Sequence, residues 1–252
     1  MSAITITFGE CAENHAGMQK LGAAAAAGFT VAELAEAKAR FEAKGFECSL
    51  VDLVAEGRPG GAAEAAAVLV VRDGVRALGA SAADLAAEQG RLAPDKSAFM
   101  YGRVVAKRAR HNLCFAEAAQ EPCYAEKKGR VVAFGDVPRL AAARAALPAF
   151  FGPKAAGLLA EGNYYYDVKR CGIGFHGDAE RRLVVAFRLG APIPLHFQWF
   201  LGGASVGARV ALRLGPGDLY AMSAKAVGAD WKRRKVPTLR HAAGAEKFLK
   251  IS

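Results

Sequence analysis

Short segments with strand character follow one another through the second half of the chain. Of all features of the sequence, this series limits the possible folds most strongly. From residue 163 onward, turn residues separate the runs YYYDVKRCGIGF, RRLVVAFRLG, PLHFQWF, ARVALRL, GDLYAM and KFLKI. Closely spaced short strands of this kind are typical of an antiparallel sandwich or barrel. The sequence therefore predicts a β-rich second half.

The N-terminal third has a different pattern, in which strand-like and helical segments alternate. Residues 3–8 alternate like a strand, and residues 31–44 repeat apolar positions at helical spacing behind a threonine N-cap. Extended patterns return at 46–54 and 67–75, and the second of these precedes a short helix capped by Ser81. This alternation predicts a small α/β unit.

The sequence LAPDKS at 92–97 is a plausible joint between two domains. We therefore expect a small N-terminal α/β unit over residues 1–95 and a second domain over 96–252, which includes one clear helix at 137–148. A chain of 252 residues with 53% hydrophobic content can bury the cores that such an arrangement needs.

The composition excludes several classes of protein. No run of 18 uncharged apolar residues and no secretory signal pattern is present, so we expect a soluble intracellular protein, in cytoplasm or nucleus, without a membrane partner. Five scattered cysteines without a CxxC pair argue against a disulfide framework and a thiolate zinc site. An excess of ten basic residues favours binding to phosphate backbones, and a generally basic soluble surface explains it equally well.

The short motif His-x-Asp occurs at His176 and Asp178, within the sequence GFHGDAE. Alternate positions on a strand or tight turn can direct two side chains to one ion, but a lone pair of this kind is more often a surface feature. Two histidines and one carboxylate form a facial triad, which leaves coordination positions open for a bidentate oxoacid and O2. A second histidine is therefore required.

The downstream histidines are His196 and His241. His196 lies inside the strand-like run PLHFQWF, where a packed or sheet-surface histidine is the better interpretation. His241 lies far enough downstream for several strands to intervene, and small residues follow it. We therefore predict that His176, Asp178 and His241 are the metal ligands and the catalytic centre.

An open site of this type also needs a cation for the distal carboxylate of the oxoacid 2-oxoglutarate. Lys250 lies in the apolar run FLKI after His241, where a charge within a strand requires a partner. We predict that Lys250 binds this carboxylate. The alternative is a solvated lysine near the chain end.

These residues lie in blocks that resemble a known family, the iron and 2-oxoglutarate-dependent dioxygenases, and in particular its AlkB-like branch, which oxidatively demethylates nucleic acids. Tyr166 followed by IGFHGDAE looks like the family block Tyr…I-G-W-H-x-D-x-E, and residues 182–190 resemble its I-x-x-x-S-L-G strand. The sequence GDLYAMS at 217–223 closely matches G-D-L-Y-V-M-S. The resemblance spans roughly residue 101 to the C-terminus.

The resemblance implies an α+β fold with a double-stranded β-helix (jelly-roll) barrel and flanking helices. It implies that the three predicted ligands hold Fe(II) and that Tyr166 hydrogen-bonds the cosubstrate 2-oxoglutarate, with Asn163 as a helper. The family usually has its Asn two residues before that Tyr, where this chain has Tyr164.

Two departures separate this chain from the familiar demethylases. Many members have Trp-x-His soon after the G-D-L-Y block, where this chain has WKR at 231–233. Members also usually end in a pair of arginines that bind the cosubstrate, whereas here Lys247 and Lys250 follow the distal histidine.

The resemblance implies oxidation of a methyl group on a modified base in DNA or RNA. Basic runs at 103–112 and 232–235 could follow a phosphate backbone, and they could equally be solvated faces. A second hypothesis keeps the iron centre but hydroxylates a protein side chain or a small molecule, which Lys250 and the missing Trp-x-His favour. A third is a catalytically silent nucleic-acid-binding protein that has kept the barrel.

A segment dense in polar side chains occupies residues 8–18. We interpret it as a strand-to-helix connection with Asn14 as the cap, and a binding loop is the alternative. The sequence assigns it no ligand.

Overall fold

Two β-sheets dominate the computed structural model, which describes residues 1–60 and 63–251. The large sheet contains, in spatial order, β4 (Cys48–Asp52), β5 (Ala67–Val71), β15 (Leu219–Met222), β12 (Val184–Gly190), β1 (Ala3–Gly9), β10 (Leu159–Tyr165), β8 (His111–Ala116) and β9 (Val131–Ala133). The small sheet contains β11 (Gly172–His176), β16 (Thr238–Gly244), β13 (Ile193–Leu201) and β14 (Ala204–Leu214). Neighbouring strands are antiparallel except β8 and β9, which are parallel.

Two hairpins, six α-helices and a few short 3₁₀ turns complete the described part of the fold. The hairpins are β2 (Cys11–Glu13) with β3 (Lys20–Gly22), and β6 (Ser97–Met100) with β7 (Arg103–Ala106). The helices are α1 (Val31–Glu42), α2 (Leu53–Gly57), α3 (Gly74–Ala77), α4 (Ala82–Gly90), α5 (Pro138–Phe151) and α6 (Ala224–Val227). No helix within the described ranges combines the length and apolar character needed to cross a membrane.

The large sheet is buried on both faces, because successive side chains of a strand point to opposite sides. In β5, Leu69 and Val71 pack in the core that contains α1, α4 and α5, whereas Val68 and Val70 pack in the core that contains the small sheet. The fold is therefore α+β, with helices on one face of the large sheet and the small sheet on the other. The predicted α+β class is confirmed. Among the described residues the two sheets face each other and share no hydrogen-bonded strand pair, so they do not close into a barrel.

The predicted helices at 31–44 and 137–148 are confirmed as α1 and α5. Thr30 and Glu33 form the capping box that begins α1, since the Thr30 hydroxyl accepts from the Glu33 amide and the Glu33 carboxylate accepts from the Thr30 amide. Helix α5 continues past its predicted end to Phe151, because Phe150 is buried and stacks on Phe41 of α1 with ring centroids 4.0 Å apart.

The two segments predicted as separate domains share the large sheet. Strand β1 lies between β10 and β12 and pairs with both, and β5 pairs with β15. Apart from the β2–β3 hairpin, the strands of residues 1–95 therefore belong to a sheet that also contains strands of residues 96–252. The physical reason is that β1 buries Ile6 and Phe8 on its helix-facing side and needs hydrogen-bond partners along both edges.

Candidate metal centre

The two histidines of the predicted centre face each other across neighbouring strands of the small sheet. His176 of β11 lies opposite His241 of β16, with ring centroids 4.5 Å apart. Ile173 lies opposite Ala243 in the same pairing, and a β-bulge separates Ile173 from His176. In a regular strand, residues three positions apart point to opposite faces. Because of the bulge, the side chains of Ile173 and His176 line the same cavity.

The carboxylate of Asp178 completes the cluster from the turn after β11. Its Oδ1 atom lies 3.4 Å from His176 Nε2 and 3.5 Å from His241 Nε2, and the three ligand atoms lie within 4.8 Å of one another. The amide of Asp178 donates to the carbonyl of Val227, which fixes the turn. Gly177 is required between the two ligands, because a side chain there would collide with the carbonyl of Gly228.

Hydrogen bonding and burial favour the protonation states of these side chains that can bind a cation. The Gly174 carbonyl lies 2.8 Å from His176 Nδ1 and can only accept, so Nδ1 carries the proton and Nε2 offers its lone pair. Burial, and then the neighbouring His176, lower the pKa of His241. Burial alone would raise the pKa of Asp178, but Arg181 and the two histidines hold it well below its usual range. Neutral imidazole and ionised carboxylate are the forms that bind metals.

A buried arginine connects this cluster to the large sheet. Arg181 Nη2 lies 2.6 Å from a Glu161 carboxylate oxygen of β10 and 2.8 Å from a Glu180 oxygen, and its Nε lies 3.5 Å from Asp178 Oδ2. Burial opposes the charge, but the three carboxylates raise the pKa of Arg181 well above its usual range. Arg181 is therefore a fixed cation beside the candidate metal position.

A cavity of about 580 Å³ opens between the two sheets at the cluster. One row of its floor contains Asn163, Thr5 and Arg188, which lie directly opposite one another on β10, β1 and β12. The next row contains Glu161 opposite Thr7. This volume lies within the range of small-molecule sites.

Arg188 is a buried cation without a counterion in the part of the chain that the structure describes. Its residue is 1% exposed, it donates to the Thr5 hydroxyl, and its guanidinium lies 5.7 Å from the centre of the Tyr220 ring. The Nε atom of Arg188 has no hydrogen-bond partner within residues 1–60 and 63–251. Since a buried charge without a partner is costly, this arginine is a candidate for binding an anion in the cavity.

Tyr166, the tyrosine predicted to bind the cosubstrate, does not line the cavity. Tyr166 is 41% exposed, stacks on His111 and donates its hydroxyl to the Arg108 carbonyl, away from the cavity. Tyr165 lines the cavity, because neighbouring residues of β10 point to opposite faces. Asn163 also lines it, so the N-x-Y spacing of the resembled family recurs at Asn163 and Tyr165.

Lys250 does not line the cavity, contrary to prediction. A short 3₁₀ turn (Glu246–Phe248) follows β16 where a strand was expected, and Lys250 is exposed. Its charge needs no protein partner because it is solvated. Arg188 was missed although it carried a usable signal, since it is the one charged residue in the apolar strand VVAFRLG.

The polar N-terminal segment forms part of the cavity wall and does not lead into a helix. Glu13, Asn14 and His15 of the first hairpin line the cavity. Asn14 is buried and bonds Asp95 and Lys107, so it anchors the hairpin and caps no helix. The binding-loop alternative stays a prediction, for a segment that lies at the cavity.

Of the remaining features noted in the sequence, His196 points away from the cavity, whereas both basic runs reach it. His196 lies on β13 between Leu195 and Phe197, which face the inner core, so its ring points to the opposite face of the small sheet. Each of the two basic runs contributes a residue to the cavity lining, Arg110 from the first and Lys232 from the second.

Comparison with known proteins yields a relative of nearly equal length. The chain is 46% identical over 252 residues to "Uncharacterized protein R156" of Acanthamoeba polyphaga mimivirus, which covers 98% of this chain and 97% of the relative. The name of that relative states no activity. No protein-family model matches the chain.

Proposed function

This chain belongs to the family of the mimivirus protein R156, and from the chemistry of its cavity we propose that it is an AlkB-like Fe(II)- and 2-oxoglutarate-dependent dioxygenase. The observation that carries the proposal is one cavity that contains both a His-Asp-His cluster and a buried arginine with no counterion among the described residues. The first suits a metal, and the second suits a ligand with a free carboxylate.

The donor set fits Fe(II). Two imidazoles and one carboxylate that leave positions open are the ligands of non-haem Fe(II) oxygenases, and the Nε2 lone pair of His176 is already oriented by Gly174. When bound, Fe(II) supplies oxidation of a substrate C–H bond by O2, with 2-oxoglutarate as the reducing cosubstrate. His176, Asp178 and His241 would hold the ion.

Arg188 would bind the distal carboxylate of 2-oxoglutarate, the role that was predicted for Lys250. Its buried guanidinium can donate charge-assisted hydrogen bonds, which are stronger in a water-poor cavity. Thr5, Tyr165 and Asn163 line the same cavity and offer further hydrogen-bonding groups for the cosubstrate.

The strand order supports a double-stranded β-helix. From β10 to β16 the chain passes between the large and the small sheet five times, and β1 fills the large-sheet position between β12 and β10. The seven strands β10 to β16, together with β1, are eight strands in two facing sheets, which is the pattern of a jelly roll. Strand β1 then occupies the place of a strand that would otherwise follow His241, which explains why no cation after His241 reaches the cavity.

A modified base in DNA or RNA is the substrate class we propose. The support is that both basic runs of the sequence reach the cavity, through Arg110 and Lys232. Cations around a cavity mouth attract a phosphate backbone. A protein side chain or a small molecule as substrate of the same iron centre, and a catalytically silent nucleic-acid-binding protein, are the alternatives.

Formation of succinate from 2-oxoglutarate tests the oxygenase. We expect Fe(II)-dependent succinate formation by the wild type, none by His241→Ala, and wild-type rates for the matched control His196→Ala on the outer face. No succinate from the wild type would eliminate the oxygenase, and no metal bound by the wild type would eliminate the metal centre as well.

Binding of methylated and unmodified oligonucleotides tests the substrate class. We expect affinity to fall steeply with salt, and succinate formation to rise with the methylated oligonucleotide. No binding at low salt with intact succinate formation would favour a protein or small-molecule substrate, whereas binding without succinate formation would favour the silent protein.

A further inference from the structure

The two carboxylate oxygens of Asp178 have different surroundings. Oδ1 lies 3.4 and 3.5 Å from the Nε2 atoms of His176 and His241, whereas Oδ2 lies 3.5 Å from Arg181 Nε. One oxygen therefore faces the position where both histidines would bind a metal, and the other faces a guanidinium.

Arg181 is held in place from the large sheet. Its side chain is 4% exposed, and Glu161 of β10 binds Nη2 at 2.6 Å. Glu180 accepts from Nε at 3.0 Å and from Nη2 at 2.8 Å. The guanidinium thus links a strand of the large sheet to the ligand turn of the small sheet.

The charges of this group match a divalent cation. Three carboxylates, Asp178, Glu161 and Glu180, surround one guanidinium, so the group carries three negative charges and one positive charge. A bound divalent cation brings the sum to zero. Buried groups of charges are stable only when they compensate one another.

We propose that Arg181 is a positioning residue that holds Asp178 Oδ2 and thereby makes Asp178 a monodentate ligand through Oδ1. This inference rests on the proposed metal centre. A monodentate carboxylate leaves coordination positions free for an oxoacid and O2, whereas a bidentate one occupies an additional position. Glu161 is the anchor that fixes the guanidinium.

Binding of Co(II) without cosubstrate tests the inference, because it needs no turnover and its visible absorption reports the coordination number. Arg181→Lys keeps the charge but loses the planar fork, and we expect Co(II) affinity to fall at least about tenfold, as for other residues that orient metal ligands. We also expect the absorption spectrum to change. Arg182→Lys, the same substitution one position later, should leave both unchanged.

Glu161→Gln is the second variant, because it removes the anchoring charge and leaves Arg181 in place. We expect a smaller loss of Co(II) affinity and a shifted spectrum, with melting curves confirming that the variant is folded. Wild-type affinity and spectrum in folded Arg181→Lys or Glu161→Gln would overturn the inference.

The inference and the proposed function fail in different ways. If the wild type binds no Co(II), both are lost. If the wild type and the variants bind Co(II) as expected but the wild type forms no succinate with Fe(II), the positioning role stands and the oxygenase is lost.

Discussion

Replacing Arg188 by methionine separates a binding role from a structural role. A structural arginine would lose its interactions and destabilise the protein. Arg188, however, has one side-chain hydrogen bond to Thr5 and no counterion among the described residues, so the wild type bears the cost of burying its charge. Replacing buried charges by apolar residues of similar volume is often neutral or stabilising by about 1–4 kcal/mol. The lost hydrogen bond offsets about 1 kcal/mol of that. We therefore expect a melting temperature equal to or above that of the wild type.

The same substitution should greatly weaken 2-oxoglutarate binding. Removing one member of a buried, hydrogen-bonded charge pair costs roughly 2–5 kcal/mol. A loss of about 3 kcal/mol is a roughly 150-fold rise in Kd. Calorimetric titration of the Co(II)-loaded protein measures it, and Arg209→Met, on an exposed position of β14, is the matched control. A large drop in melting temperature with unchanged 2-oxoglutarate affinity would refute the reasoning.

Three further predictions concern the tyrosines, pH and the N-terminal strand. Tyr165→Phe should raise the KM for 2-oxoglutarate several-fold, whereas Tyr166→Phe should not change it, since the Tyr166 hydroxyl bonds a backbone carbonyl outside the cavity. Because burial and a neighbouring histidine lower the pKa of His241, protons should compete with Co(II) for it only at a lower pH than for an ordinary histidine. Affinity in a titration should therefore hold from pH 8 to 7 and fall in acid. A fragment of residues 96–252 should show no cooperative melting, because it lacks β1 and its buried Phe8. A cooperative transition or Co(II) binding by the fragment would contradict the shared sheet.

The sequence predicted local structure well because local structure depends on neighbouring residues. The helix behind Thr30 and the strand at residues 3–8 have signals within a few positions, a capping box and an apolar alternation. The partners of β1 have no such signal. Pairing with β10 and β12 joins residues 150 or more positions apart, so the LAPDKS joint and the change in local pattern alone predict two domains.

The site residues also divide into those with a local sequence signal and those that depend on long-range packing. His176 and Asp178 lie in one short motif, and His241 was reached by elimination. The family-like block predicts Tyr166, whereas Tyr165 lines the cavity. No local pattern tells which face of β10 lines the cavity, and only sheet packing decides it. For a similar reason Lys250 does not line the cavity, since the expected strand after His241 does not form and β1 occupies the position between β10 and β12.

The two walls of the cavity together favour an oxoacid with a second carboxylate. The group of Asp178, Arg181, Glu161 and Glu180, neutralised by a divalent metal, would bind the 2-oxo acid end of a cosubstrate. Arg188 on the large-sheet wall then still requires one negative charge. 2-Oxoglutarate supplies it, whereas pyruvate leaves the guanidinium buried and unpaired. We therefore expect the Co(II)-loaded wild type to bind 2-oxoglutarate at least about 30-fold more tightly than pyruvate, corresponding to roughly 2 kcal/mol. Arg188→Met should lose this preference by weakening 2-oxoglutarate binding alone. Equal affinities for the two acids in the wild type would show that Arg188 does not select the cosubstrate.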